Sequence, residues 1–285
     1  MKDIQQLVTN ASYHLPDLSS QYPETAAFKK SFDEINQMLS GEKPLSLKRA
    51  VFLAENAYFN EQASYEEFER AIRKKARLAL RWLRENNFDA NDPDNRRMSL
   101  FKLMADTLRF QGYEGEEIHY PYTYDFEDFY GRKDRTKQFV SKLLATKNGQ
   151  CHSLPLLYLI LAEELGVTAY LSTAPEHYYI RIQDRNGAWY NLELTNNMIT
   201  SPSHILGSGF IKSEALRNRI YMDTLGQRKQ VLTCLTDLAQ NYVHKFGYDD
   251  FVKECTSKVL EENPKDMHAM LVQASYYGNW FEYVR

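Results

Sequence analysis

The sequence predicts an α+β fold, in which helical stretches at both ends flank a short central segment where one helix is followed by antiparallel strands. Two observations predict it. Helical periodicity runs from about 24 to 145 and returns from about 213, whereas 151–165 is a leucine-rich helical run followed by alternating strand patterns. The strand patterns at 177–183 and 188–194 are separated by Asp184-Arg185-Asn186-Gly187, which is strong hairpin punctuation. The divisions that follow are 1–112, helical; 113–212, the core with a tyrosine-rich loop; and 213–285, a helical extension.

The elements can be justified in order. Phe28, Phe32, Ile35 and Leu39 mark one apolar helix face, and Gly41 breaks it. Ser64-Tyr65-Glu66-Glu67 is a capping box, opening a helix with Phe68, Ile72, Leu80 and Leu83 at apolar positions. Asn91-Asp92-Pro93-Asp94-Asn95 reads as the loop that ends it. Between Tyr113 and Arg135 neither template fits: Tyr120, Tyr122, Tyr124, Phe126, Phe129 and Tyr130 are set among acids. Such a loop either packs its rings on a neighbouring face or forms an aromatic rim over a cleft. The helix at 151–165 directs Leu154, Leu157, Leu161 and Leu165 inward and closes at Gly166. Three strands follow, at 167–173, 177–183 and 188–194.

In the C-terminal helices Ala239 and Tyr242 recur as Ala274 and Tyr277, a spacing of 35, with Asn263-Pro264 between them. That pattern resembles a tetratricopeptide unit, although its usual Trp and Gly positions are not filled.

Composition limits the function classes. With 285 residues, 43% of them hydrophobic, the chain can bury a full core, and a net charge of −3 without a basic face gives no support to nucleic-acid binding. No apolar run approaches membrane-spanning length, and Met1-Lys2-Asp3-Ile4-Gln5-Gln6 lacks the apolar segment of a signal peptide. Three cysteines without a C-x-x-C pair indicate neither a disulfide framework nor a zinc knuckle, so a reducing cytoplasm is expected.

Cys151 falls at a helix start after Asn148-Gly149-Gln150, where unpaired N–H groups and the helix dipole favour a thiolate. Gly149 is expected to let the backbone turn tightly. Cys234 and Cys255, inside helical apolar stretches, read as small buried residues. A cysteine nucleophile needs a base, and the base needs an orienting acceptor. If the hairpin loop is Arg185-Asn186-Gly187 with Gly187 left-handed, Ile182 faces Tyr190, Ile180 faces Leu192 and Tyr178 faces Leu194. The opposite face then carries His177 across from Thr195 with Glu193 diagonal to it, about 7–8 Å away between backbones. A His–Glu hydrogen bond is within reach.

The order of Gly149-Gln150-Cys151 at a helix start, His177 at a strand start, and Trp189-Tyr190-Asn191-Leu192-Glu193-Leu194-Thr195 on the next strand resembles the transglutaminase-like superfamily and its Trp-x-x-x-Asp-x-Thr pattern. Glu193 stands where that pattern has Asp, one methylene longer. The stretch from Cys151 to Tyr158 and Ala174-Pro175-Glu176-His177 are most similar to a bacterial branch in which helical repeats follow the core.

The resemblance covers about 136–200. It implies a papain/transglutaminase-like core, Cys151 as nucleophile, His177 as general base and acid, Glu193 as its orienting group, and no metal or organic cofactor. It also implies acyl transfer from a peptide or protein substrate, by hydrolysis or transamidation through a thioester. The alternatives are an inactive module that binds a peptide or protein, and a scaffold whose C-terminal helices dictate assembly or hold a protein partner. His152 is expected to be structural, and His119 is the remaining histidine with a plausible route to a cleft.

Overall fold

A computed structural model describes residues 14–112 and 115–285, so the start of the chain and the Tyr113 boundary of the aromatic loop lie outside the described residues. The structure is mixed helix and sheet, 56% helical and 13% strand, with helix wrapped around a small sheet rather than alternating with it. In chain order the long N-terminal helices are α1 (Thr25–Ser40), α2 (Leu47–Tyr58), α3 (Tyr65–Glu85) and α4 (Pro93–Ala105). Phe28, Phe32, Ile35 and Leu39 are buried on α1, which ends where Gly41 turns left-handed at φ +87°. The Ser64 side chain accepts from the Glu67 N–H at the start of α3, as the capping box requires.

The Asn91–Asn95 stretch does not end α3 as a loop. Asp92 accepts from the Asp94 and Asn95 N–H groups and Pro93 occupies the first turn, so the same residues begin α4. Sequence alone gave the turn chemistry but not which side of it was helical.

The tyrosine-rich stretch is more ordered than its composition suggests. Strand β1 (Leu108–Gly112) pairs antiparallel with β2 (Gly115–His119), and β3 (Thr123–Tyr124) lies parallel to β4 (Asn148–Gly149). Tyr122 is buried in the core, whereas Tyr120 and Phe126 are exposed. A short helix α5 (Val140–Thr146) leads into β4, and α6 (Ser153–Glu164) follows.

The main sheet has the order β5 (Tyr170–Ala174), β6 (His177–Gln183), β7 (Trp189–Glu193), β8 (Met198–Thr200), all antiparallel. Its register places Ile180 opposite Leu192 and Ile182 opposite Tyr190, with Gly187 left-handed at φ +85°. Strand β8 is a fourth strand that the sequence patterning did not indicate. Helix α6 lies against β5 and β6, its closing Gly166 is left-handed at φ +63°, and Leu154, Leu157 and Leu161 are fully buried.

After α7 (Pro202–Ser208) and α8 (Ser213–Arg217) come α9 (Gln227–Phe246), α10 (Asp250–Glu262) and α11 (Met267–Val284). The repeated Ala–Tyr pairs have different surroundings. Ala239 and Tyr242 are buried on α9, whereas Ala274 and Tyr277 are exposed on α11, whose buried residues are Ala269, Val272 and Tyr276. One hydrophobic cluster extends from Leu15 to Tyr276 and draws on all three stretches of the chain. No helix among the described residues is long and apolar enough to cross a membrane.

Candidate active site

The segment before α6 is fixed from several directions. Glu55 on α2 accepts from the Val140 and Ser141 N–H groups at 2.6 and 3.0 Å, which anchors the start of α5. Lys147 takes the left-handed conformation after α5, and the Asp125 N–H donates to the Gly149 carbonyl at 2.8 Å. Gly149 itself does not adopt positive φ. It is small because a Cβ there would lie 2.7 Å from Ser153 Oγ and 2.8 Å from Leu143 Cδ1, so close packing replaces the tight-turn expectation. The Gln150 N–H donates to Ser153 Oγ at 3.0 Å, and the Gln150 amide donates to the Asp125 carbonyl at 2.7 Å.

This turn holds Cys151 two residues ahead of the first helical residue, later than the expected helix start at 151. Pro155, in the first turn of α6, needs no N–H partner there. Cys151 is partly exposed, and its Sγ lies 3.9 Å from the Glu176 carbonyl oxygen. Glu176 is the second residue of the two-residue turn between β5 and β6, with φ +54°, and it delivers His177 as the first residue of β6. His177 Nε2 lies 3.0 and 2.8 Å from the two Glu193 carboxylate oxygens, and His177 lines the same cleft as Cys151. With Nε2 committed to Glu193, Nδ1 is the nitrogen left for the thiol. The added methylene of glutamate therefore does not prevent contact.

Burial works against a charged His177 imidazole, yet hydrogen bonds to Cys151 and Glu193, together with their charge, outweigh it and push its pKa up to about 10. Glu193 is 9% exposed at its side chain, so its partnership with His177 lies in a largely dry setting. Tyr179 lies parallel to the His177 ring with centroids 6.5 Å apart.

Cys151 and His177 line a cleft of about 280 Å³. Phe129 and Tyr130 form part of its edge, so two rings of the aromatic stretch do form a rim while Tyr122 packs inside. The Tyr130 hydroxyl donates to the Glu176 carboxylate at 2.8 Å, bridging the rim to the turn before His177.

His152 also faces the cleft and is hydrogen-bonded on both sides: Nδ1 lies 3.2 Å from the Gln138 carbonyl, and Nε2 lies 2.8 Å from Asp237 Oδ1 on α9. Burial disfavours its charge, but Asp237 prevails and raises its pKa. The Asp237 carboxyl is held below its usual range by His152, against its own burial. His268 of α11 completes this wall and shares a 2.5 Å hydrogen bond with the Tyr178 hydroxyl.

The expectation for His119 is overturned. It is buried beside Tyr122 with Nε2 2.8 Å from the Leu103 carbonyl, and burial lowers its pKa to about 4. A position at the end of β2, facing inward, removes it from the cleft. Cys234 and Cys255 are fully buried, and burial raises both thiols well above their ordinary range.

Asp237, Arg135 and His268 were not singled out by sequence. Asp237 left one trace, an acid inside the apolar run Val231–Ala239. Compared with protein-family models, curated proteins and solved structures, the chain matches none.

Proposed function

We propose that this chain is a cysteine acyl-transfer enzyme with a papain/transglutaminase-like core, acting on an amide or peptide bond through a thioester. The observation that carries the reading is one imidazole hydrogen-bonded to Glu193 and set with Cys151 at the wall of an open cleft. The chain order of nucleophile, histidine and acid, with α6 against the antiparallel sheet, supports the same reading.

In the proposed chemistry the Cys151 thiolate attacks the substrate carbonyl carbon, forming a C–S bond and an oxyanion. The Cys151 N–H, at the amino end of α6, is available to donate to that oxygen. The cationic His177 then gives its proton to the leaving nitrogen as the C–N bond breaks, leaving a thioester and a neutral imidazole. Water or an amine attacks the thioester, His177 takes the proton, and the Cys151 sulfur leaves as thiolate. Glu193 keeps the ring oriented and stabilises its cationic form.

The test is site-resolved alkylation of the native protein, with Cys151, Cys234 and Cys255 read separately by mass spectrometry. Cys151 should react with iodoacetamide at neutral pH far faster than the two buried thiols and faster than an unactivated thiol, and His177→Ala should remove the advantage. A Cys151 that reacts like an unactivated thiol overturns the proposal and leaves a non-catalytic binding module as the reading to pursue.

A further inference from the structure

The wall of the cleft away from His177 contains a cation without a carboxylate of its own. Arg135 donates from Nε to Asn241 Oδ1 at 2.8 Å and from Nη2 to Gln240 Oε1 at 2.6 Å, both neutral amides on α9. Among the described residues no carboxylate lies within 4.0 Å of its guanidinium, although Lys137, Lys142 and His152 each pair with an acid. The acid whose field it feels most is Asp237, and Asp237 is already paired with His152. Arg132 stands at the mouth with its guanidinium 4.9 Å from the Tyr130 ring centroid, also without an acid partner among the described residues. The remaining acid on this lining, Glu176, is occupied by Tyr130 at the rim.

Burial works against the charge of Arg135 whereas Asp237 favours it, and the two amides fix the orientation of the guanidinium and leave its other donors free for an anion. That arrangement suits a planar anion, which a guanidinium can bind in bidentate fashion. Arg132, Arg135 and Gln240 also line a second hollow, of about 560 Å³, that runs between α9 and α11 past Val243, His244 and Leu271. The two spaces therefore share a wall at Arg135, and an extended chain entering the cleft has a course that leads away from Cys151 over the C-terminal helices.

We infer that the acyl donor is an acidic peptide, with a carboxylate bound in the cleft by Arg135 and attracted at the mouth by Arg132. The inference rests on the proposed role of Cys151 and adds the chemical class of what reaches it. Its natural probe is the pair iodoacetate and iodoacetamide, which alkylate the same sulfur and differ in carrying a carboxylate or a neutral amide.

The second-order rates of both reagents at Cys151 would be measured by peptide mass spectrometry in the unmutated chain and in Arg135→Gln, Arg135→Lys and Arg132→Gln. The His177 cation favours iodoacetate in all four proteins, so the informative quantity is the change in the ratio of the two rates. Arg135→Gln should lower the iodoacetate-to-iodoacetamide ratio about tenfold with little change in the iodoacetamide rate. Arg135→Lys should retain part of the preference, and Arg132→Gln should lower it by a smaller factor.

Because Arg135 also ties its loop to α9, melting curves accompany each variant. The unmutated chain gives a second reading: millimolar N-acetylglutamate should protect Cys151 from iodoacetamide and N-acetylglutamine amide should not. Fast iodoacetamide alkylation with an unchanged ratio in the Arg135 variants and no selective protection overturns this inference and leaves the acyl-transfer reading standing. A Cys151 inert to both reagents overturns both.

Discussion

Cys151 and the pair Cys234 and Cys255 are the same residue type in two kinds of surroundings. Cys234 and Cys255 sit inside α9 and α10, fully buried, with thiols kept neutral by burial and by nearby acids. Cys151 sits in a turn outside a helix, partly exposed, against an imidazole that a carboxylate keeps protonated. The difference teaches that backbone setting and the neighbouring ring, rather than the sulfur, divide a packing residue from a candidate nucleophile.

The contrast can be broken or sharpened by substitution. Cys151→Ser should lower turnover of an amide substrate by about a thousandfold or more while leaving circular dichroism and melting temperature unchanged. Cys234→Ser and Cys255→Ser should do the reverse, leaving turnover intact and destabilising the fold by roughly 1–3 kcal/mol, because a hydroxyl replaces a buried thiol. Equal loss of turnover in all three variants would erase the distinction.

His177→Ala comes next, with an expected loss of about 10²–10⁴-fold in turnover. Glu193→Gln should cost less, because an amide can still accept a hydrogen bond while no longer favouring the charged ring. Its signature is a pH–rate profile whose imidazole limb moves to lower pH. An unshifted limb would mean that Glu193 does not favour the charged ring.

The pH dependence of stability gives a finer test. The folded-state pKa of His177 is raised to about 10 from an ordinary value near 6.5, so its protonated form favours the native state. That contribution is whole below about pH 6.5 and is lost as pH rises towards 10. Urea titrations across this range should show a decline that is shallower in His177→Ala. Smallest of all, Tyr130→Phe removes one exposed hydrogen bond to Glu176 and should change turnover by less than about threefold.

The legible part of the site was local in sequence. The hairpin between His177 and Glu193 has a period of two and a glycine-marked turn, and those fix which side chains share a face. The rest of the cleft was not legible because tertiary packing brings it from far along the chain. Arg135 meets Gln240 and Asn241 across about a hundred residues, and Asp237 meets His152 across 85. Strand β8 has only Met198, Ile199 and Thr200 to announce it, too few residues for a periodicity. His119 shows the converse: a histidine in an aromatic stretch suggested access to a cleft, and its partner is a backbone carbonyl inside the core.

The shared wall between the sheet and the C-terminal helices has an evolutionary consequence. The three residues proposed for the chemistry lie on 151–193, whereas much of the cleft lining is carried by 129–135, α9 and α11. Recombination that exchanged the helical segment would replace that lining and would also remove the His268 hydrogen bond to Tyr178, next to His177. Because one hydrophobic cluster unites both parts, such a graft would have to conserve the buried face of α9, and drift in specificity would be channelled into the few residues that line the groove.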